Sequence, residues 1–190
     1  MYLSLKQHDL FRTLLMGFEI PFRLFVADLT LSKYTTYSNF ENALITRKNN
    51  LSPSDPIFLR NNLPNACKNG KCHDLYERLV TANNNRFMGV VATDQEMPMV
   101  GALNIVTFAF QNDFSDLYLL FGGYRGYCAL AEKYRYARNK LDHPGCKTLE
   151  DNDLVPVLSF VKDIISFLDD SYFPQKSKEE ILVEVSVLQN

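Results

Sequence analysis

Three side chains near residue 140 combine a permanent cation, an amide and a titratable base. Arg138, Asn139 and His143 lie within a stretch of six residues. An imidazole changes its charge near neutral pH, and a guanidinium stays charged and offers several N–H donors. These residue types could transfer a proton and bind an anion, provided that the chain brings them together.

The local sequence predicts how they could meet. Pro144 disfavours helical backbone at His143, so a helix that carries Arg138 should end at or before that residue, near Leu141. In a continuous helix, Arg138 and His143 would point apart, because five steps of a 3.6-residue period do not return to one face. A helix that ends there leaves His143 able to fold back toward Arg138 and Asn139.

Two amphipathic helices should position the motif. Apolar residues recur at steps of three and four on both sides of it, as one face of a helix requires. Asp151, Asn152 and Asp153 offer N-cap candidates for the second helix. The stripes are Leu117, Leu120, Phe121, Tyr124, Tyr127, Cys128, Ala131, Tyr134, Ala137 and Leu141, then Leu154, Val157, Leu158, Val161, Ile164, Ile165 and Leu168. Residues 114–172 therefore read as a helical hairpin, the core of the fold.

Gly122, Gly123 and Gly126 mark either a break in its first helix or a closely packed face.

The spacing Arg-x4-His, with Asn directly after the Arg, resembles the RNA-cleaving motif of the HEPN superfamily (higher eukaryotes and prokaryotes nucleotide-binding domains). That family carries the motif at the junction of two packed helices. The resemblance covers residues 114–172 and implies an all-α, HEPN-like helical bundle. It also implies a metal-independent endoribonuclease without a cofactor, acting on single-stranded RNA as a toxin or defence effector.

The resemblance also implies roles for the motif residues. The ribose 2′-OH attacks the adjacent phosphodiester, with His143 as general base or acid and Arg138 stabilising the charge that develops on the phosphate. Asn139 would orient His143 or donate to a phosphate oxygen. One motif supplies one imidazole, so a homodimer that joins two motifs is expected. The alternative is a HEPN-like module that binds a partner or a nucleotide without cleaving, in a toxin–antitoxin pair or a defence complex.

Charge around the motif favours phosphate binding. Between Arg125 and Lys147 six basic residues stand against Glu132 and Asp142, although the whole chain has a net charge of −2. We predict RNA contacts from this patch, in which Tyr124, Tyr127, Tyr134 and Tyr136 could stack on an unpaired base. The predicted RNA-binding residues are Lys133, Tyr134, Arg135, Lys140 and Lys147. The alternative is an ordinary solvated helix face.

The motif also has a purely structural interpretation. A histidine at a helix end can interact with the terminal carbonyl groups, where the helix dipole favours a cation. Arg138 could pair with Asp142 one turn later.

Length, charge and hydropathy set the outer limits. The chain has 190 residues, of which 46% are hydrophobic, enough for one domain spanning 1–190. Charged residues interrupt the N-terminal stretch, so it lacks the layout of a signal peptide, and no window predicts a membrane span. We expect a cytoplasmic protein without a membrane partner.

Helix should dominate the rest of the chain. The pattern predicts helices over 5–31, Ser38–Arg47 (capped by Ser38-x-x-Glu41), 74–81 and 99–110, and a last one after Ser177-x-x-Glu180. Residues 49–97 read as a long irregular insertion, because prolines, Gly70 and Asn83-Asn84-Asn85 punctuate them, and residues 86–93 could be a strand or a loop.

A second cluster of potential ligands is weaker. Cys67, Cys72 and His73 resemble half of a zinc site, but a structural zinc needs four ligands and the remaining candidates are remote. Reduced thiols are the alternative, and we predict no metal in the site.

Overall fold

The computed structural model describes residues 5–88, 99–108, 112–142, 151–174 and 176–189, with the backbone alone given for 5–16, 141, 142, 151 and 189. Within these residues the chain is helical and no strand occurs, which confirms the all-α prediction. The α-helices are α1 (Leu5–Lys33), α2 (Tyr37–Asn49), α3 (Ile57–Ala66), α4 (Lys71–Phe87), α5 (Met99–Phe108), α6 (Ser115–Leu119), α7 (Tyr124–Asp142), α8 (Asp151–Phe167) and α9 (Lys178–Gln189).

The chain divides into two compact units. One comprises Met1–Phe22 with Leu117–Asn190 and is called here the motif unit; the other is Arg23–Asp116, the central unit. The prediction of a single domain over 1–190 stays a prediction. No helix among the described residues is long and apolar enough to cross a bilayer.

The core of the motif unit is rich in aromatic rings. Phe160 of α8 lies at its centre, with ring centroids 5.9 Å from both Tyr127 and Tyr134 of α7. Phe18 of α1 packs edge-on against Tyr134 at 5.5 Å. Such pairs contribute about 0.5–1.5 kcal/mol each beyond their buried area. Helix α7 packs on α8 and α8 on α9, so the predicted pairing of the two helices that flank the motif is confirmed.

The apolar stripe predicted for α8 is confirmed in full. All seven of its residues, from Leu154 to Leu168, are buried. Ser177 caps the first turn of α9 as predicted. Its hydroxyl accepts a hydrogen bond from the Glu180 N–H (3.2 Å), and its own N–H donates to Glu180 Oε2 (2.9 Å). Sequence pattern and tertiary packing agree in this part of the chain.

Gly122 and Gly123 mark a break between α6 and α7, whereas Gly126 lies within α7. Gly122 and Gly123 have φ values of +70° and +108°, and a residue with a side chain would be strained in this conformation. The Gly123 N–H donates to the carbonyl of Tyr118 (2.8 Å) and the Gly122 N–H to that of Leu119 (3.3 Å). This pair of bonds forms a Schellman motif that ends α6. Leu120, predicted as part of a continuous apolar stripe, is consequently 41% exposed.

Gly126→Ala should destabilise the motif unit. A Cβ atom there would lie 1.8 Å from the Phe121 carbonyl oxygen, so the backbone of the turn must move. We expect a loss of about 2 kcal/mol in the free energy of unfolding, typical of overpacking. Gly17→Ala is the matched control, because its new Cβ would meet Ile181 at 3.7 Å and Lys176 at 4.0 Å, both ordinary contacts, and a helical alanine gains up to about 1 kcal/mol. Urea unfolding followed by circular dichroism compares them, and equal stability of both variants would contradict the steric argument.

The irregular insertion predicted over 49–97 is wrong for most of its length. Helix α3 occupies 57–66 and α4 occupies 71–87, so α4 also extends well beyond the predicted 74–81. Pro56 stands just before α3, where a missing N–H costs nothing, and Leu59 and Leu63 are buried one turn apart. Asn83-Asn84-Asn85 continue α4 instead of interrupting it. Residues 89–98, which include most of the possible strand, lie outside the described residues.

Helix α2 begins one residue earlier than its predicted cap. Thr36, not Ser38, is the N-cap, and its hydroxyl accepts a hydrogen bond from the Asn39 N–H (3.3 Å). Glu41 instead accepts a hydrogen bond from the Tyr37 hydroxyl, 2.6 Å away. The capping box predicted for Ser38 and Glu41 is therefore wrong.

Candidate active site

Arg138 lies in the last part of α7 and is fixed by a carboxylate from α1. Its Nε donates to Glu19 Oε1 at 2.7 Å, and its Nη2 donates to Glu19 Oε2 at 3.3 Å. Both contacts use the same side of the guanidinium, the two-point geometry that arginine forms with carboxylates. The Arg138 side chain is 20% exposed and that of Glu19 only 3%. The cation is thus held at the boundary between core and solvent.

Glu19 is the residue of this site that the sequence analysis missed. Its Oε1 also accepts a hydrogen bond from the Tyr134 hydroxyl at 2.8 Å. A buried carboxylate needs such partners, because the loss of hydration would otherwise cost several kcal/mol. A signal was present: Glu19 stands between Phe18 and Ile20 in an apolar part of α1. A charge in that setting predicts a buried partner without identifying it.

Asn139 and His143 complete the predicted catalytic set. Asn139 is exposed on α7, directly after Arg138. Helix α7 is described as far as Asp142, so the predicted helix end at or before His143 stays a prediction. His143 itself and Lys147 lie outside the described residues, as does the Asp142 side chain, so the roles predicted for them stay predictions.

Two residues of the predicted RNA-binding patch are buried. Tyr134 is fully buried and its hydroxyl donates to Glu19, so the prediction that its ring stacks on a base is wrong. Arg135 is only 8% exposed, and burial lowers the pKa of its guanidinium. Its side chain belongs to the interior of the motif unit, so the prediction of a surface contact from Arg135 with RNA is also wrong. Tyr134 belongs to the apolar stripe of α7, and that position explains its burial.

Lys133 and Lys140, the other predicted RNA-binding cations that the structure describes, differ in their exposure and contacts. Lys133 is exposed on α7. Lys140 bonds to Asp153 of α8 (Nζ to Oδ2, 3.1 Å) and lies over the ring of Tyr136, 4.3 Å from its centroid. Hydrogen bonds raise the pKa of Lys140, the one with Tyr136 more than the one with Asp153, so Lys140 remains a cation. Tyr136, unlike Tyr134, is 52% exposed.

The cysteine pair of the central unit forms contacts at the turn between α3 and α4. The Cys72 thiol donates to the Ala66 carbonyl at 3.0 Å and hydrogen-bonds with Cys67. Burial raises the pKa of both thiols, that of Cys72 to about 12, so both are protonated at neutral pH. His73 packs edge-on against Tyr37 with ring centroids 4.9 Å apart. The described residues contain no group of three or more His, Cys, Asp or Glu side chains arranged for a metal.

No model of a known protein family, no curated protein and no solved structure matches this chain.

Proposed function

We propose that this protein is a metal-independent endoribonuclease that cleaves single-stranded RNA and acts as a toxin or defence effector. The observation that carries the proposal is the fixed orientation of Arg138 near the end of α7, close in sequence to the only imidazole beyond that helix. A cation held in place before substrate binds stabilises developing charge without reorganising. The HEPN-like spacing of Arg138, Asn139 and His143 supports this reaction class.

The proposed reaction is an internal transesterification. The ribose 2′-oxygen attacks the adjacent phosphorus and loses its proton to a base, and the bond from phosphorus to the 5′-oxygen breaks as that oxygen gains a proton. The products are a cyclic phosphate and a free 5′-hydroxyl. His143 performs one of the two proton transfers, Arg138 stabilises the charge on the phosphate oxygens, and Asn139 orients His143 or donates to the phosphate.

Glu19 gives Arg138 its direction. The carboxylate binds the guanidinium through Nε and Nη2, and Tyr134 in turn holds the carboxylate. A side chain restrained in this way loses less conformational freedom when a phosphate binds. The restraint favours turnover over affinity, because the cation is already placed for the transition state.

Two motifs are proposed to form one reaction centre. Each chain contributes one His143, while cleavage needs a base on the 2′-oxygen and an acid on the leaving oxygen. We therefore propose a homodimer in which the two motifs face each other. An antitoxin or another protein of a defence complex is the proposed regulator.

Cleavage in the presence of EDTA tests the reaction class. Purified protein should cut an unstructured RNA oligonucleotide with EDTA present, because the chemistry uses protein side chains alone. The same sequence made of DNA should survive, since it lacks the 2′-OH. Mass spectrometry of the RNA products should show the cyclic phosphate terminus. Cleavage that stops with EDTA and returns with a divalent metal would contradict the proposed roles.

The second candidate is a binding module that does not cleave. The buried ion pair between Arg138 and Glu19 favours it, because the pair also serves as a structural link between α1 and α7. In that case RNA survives incubation in all metal conditions. Arg138 variants then change only the stability of the protein.

A further inference from the structure

The exposed side of α7 carries a tyrosine among basic residues. At about 100° per residue, Arg125, Lys133, Tyr136 and Lys140 fall within a sector of about 80° around the helix. We call these four residues the basic face. Arg125 and Lys133 are exposed, and Tyr136 is 52% exposed. Arg138 leaves the helix on the opposite side, so the basic face is separate from the ion pair of Arg138 with Glu19.

The ring of Tyr136 has a defined position on this face. Lys140 lies over it, with Nζ 4.3 Å from the ring centroid, and the same Nζ is bound to Asp153 of α8 at 3.1 Å. The lysine is therefore anchored, and its cation–π contact restrains the ring from one side. A restrained aromatic ring at the surface loses little freedom on contact with a flat ligand.

On the basis of the proposed function, we infer that the basic face binds a single-stranded stretch of the RNA substrate, with Tyr136 stacking on an unpaired base. Lys133 and Arg125, about 12 Å apart along the helix axis, supply positive charge for the sugar–phosphate backbone. Stacking on an exposed ring beside such cations is how proteins hold unpaired nucleotides with little sequence preference. Of the tyrosines predicted to stack on a base, Tyr127 and Tyr134 are fully buried, and the inferred stacking role belongs to the exposed Tyr136.

The chemistry of the face favours RNA over an acidic protein. An acidic peptide would pair with Arg125 and Lys133 but has no need of an exposed ring. A single strand uses both features, because each nucleotide carries a phosphate and a base with a π surface. Glu132 is the only acidic side chain of α7 near this face, and it lies at the edge of the sector.

Binding of a non-cleavable RNA tests the inference. The probe is a short, unstructured 2′-O-methyl RNA labelled with fluorescein, whose blocked 2′-oxygen prevents cleavage. Tyr136→Ala should weaken binding roughly 5- to 100-fold, whereas Tyr136→Phe should retain it because the ring remains. Phe87→Ala is the matched control, since Phe87 is a 77% exposed ring in the central unit and should have no effect. Lys133→Ala should flatten the dependence of log Kd on log salt by about 0.7.

A second readout separates stacking from general stability. A 2-aminopurine base in the probe should lose fluorescence on binding to wild-type protein and to Tyr136→Phe, but not to Tyr136→Ala. Unchanged affinity and quenching in Tyr136→Ala, while wild-type protein still cuts and binds RNA, would overturn the inference and leave the proposed function intact. Equal competition by polyglutamate would also overturn it, in favour of an acidic protein partner. Wild-type protein that neither binds nor cuts RNA would overturn both.

Discussion

Arg138→Lys should lower the turnover of RNA roughly a hundredfold or more, with only a small change in RNA affinity. Lysine keeps the positive charge but loses the planar set of donors, and one ammonium cannot reproduce the two contacts of the guanidinium with Glu19. Loss of one preorganised donor to a developing anion costs about 10²–10³ in kcat. Single-turnover cleavage at saturating protein measures the effect on turnover, and anisotropy with the 2′-O-methyl probe measures affinity.

Two further variants show whether Arg138 acts in the chemical step or only in RNA binding. His143→Ala should abolish cleavage, because no other imidazole lies near the motif in the sequence. Lys133→Ala should instead reduce affinity and leave turnover at saturation unchanged, because Lys133 lies on the side of α7 opposite Arg138. If Arg138→Lys behaves like Lys133→Ala, with weaker binding and unchanged turnover, Arg138 is a docking residue and not part of the catalytic machinery. The thermal midpoint of each variant must be measured beside these rates, because Arg138 also takes part in a buried ion pair.

The sequence predicts the helices of the motif unit well because their apolar periodicity agrees with their packing. The stripe from Leu154 to Leu168 is buried throughout, and Ser177 with Glu180 forms the expected box. The same periodicity also included Tyr134 in the apolar stripe of α7. Its assignment to the RNA surface contradicted that pattern, and the pattern was right. Periodicity is therefore the stronger guide to which side of a helix faces solvent.

Local turn signals were a poorer guide in the central unit. Prolines and asparagines disfavour helix on average, but the position of each in the helix decides its cost. Pro56 precedes the first turn of α3, and the burial of Leu59 and Leu63 stabilises a helix that composition alone rejects. The asparagines of α4 likewise lie in a helix that buries Leu79 and Ala82. Tertiary burial outweighed propensity in both helices.

The partner of Arg138 could not be read from local sequence. Glu19 and Arg138 are 119 residues apart, and their pairing depends on how α1 and α7 pack within the motif unit. The sequence offered Asp142 as a partner one turn away, since neighbours in a helix are the pairs that a local pattern can reveal. A single sequence shows that Glu19 is a charge in an apolar stretch, but it does not identify the partner.

Glu19→Ala should be among the most destabilising single changes in the motif unit. It leaves the Arg138 guanidinium without its carboxylate and the Tyr134 hydroxyl without its acceptor, both beside the aromatic core. Removing one partner of a buried pair costs about 3–5 kcal/mol. We expect about 3 kcal/mol, because Arg138 is one-fifth exposed and water can reach part of its side chain. Urea unfolding measures the loss, and Glu180→Ala, which removes the exposed partner of the Ser177 cap, serves as a control with a much smaller expected loss.

A double variant then separates the structural role of the pair from its proposed role in cleavage. Glu19→Leu with Arg138→Met replaces both charges by apolar side chains of similar size, and such replacements are often neutral or stabilising. The double variant should therefore unfold at a higher urea concentration than Glu19→Ala, although Tyr134 still lacks its acceptor. It should nevertheless remain inactive on RNA, because a stable motif unit without the Arg138 cation cannot stabilise the charged phosphate. A stable double variant that retains full cleavage would remove Arg138 from the mechanism, whereas a stable and inactive one assigns its effect to the chemistry of the guanidinium.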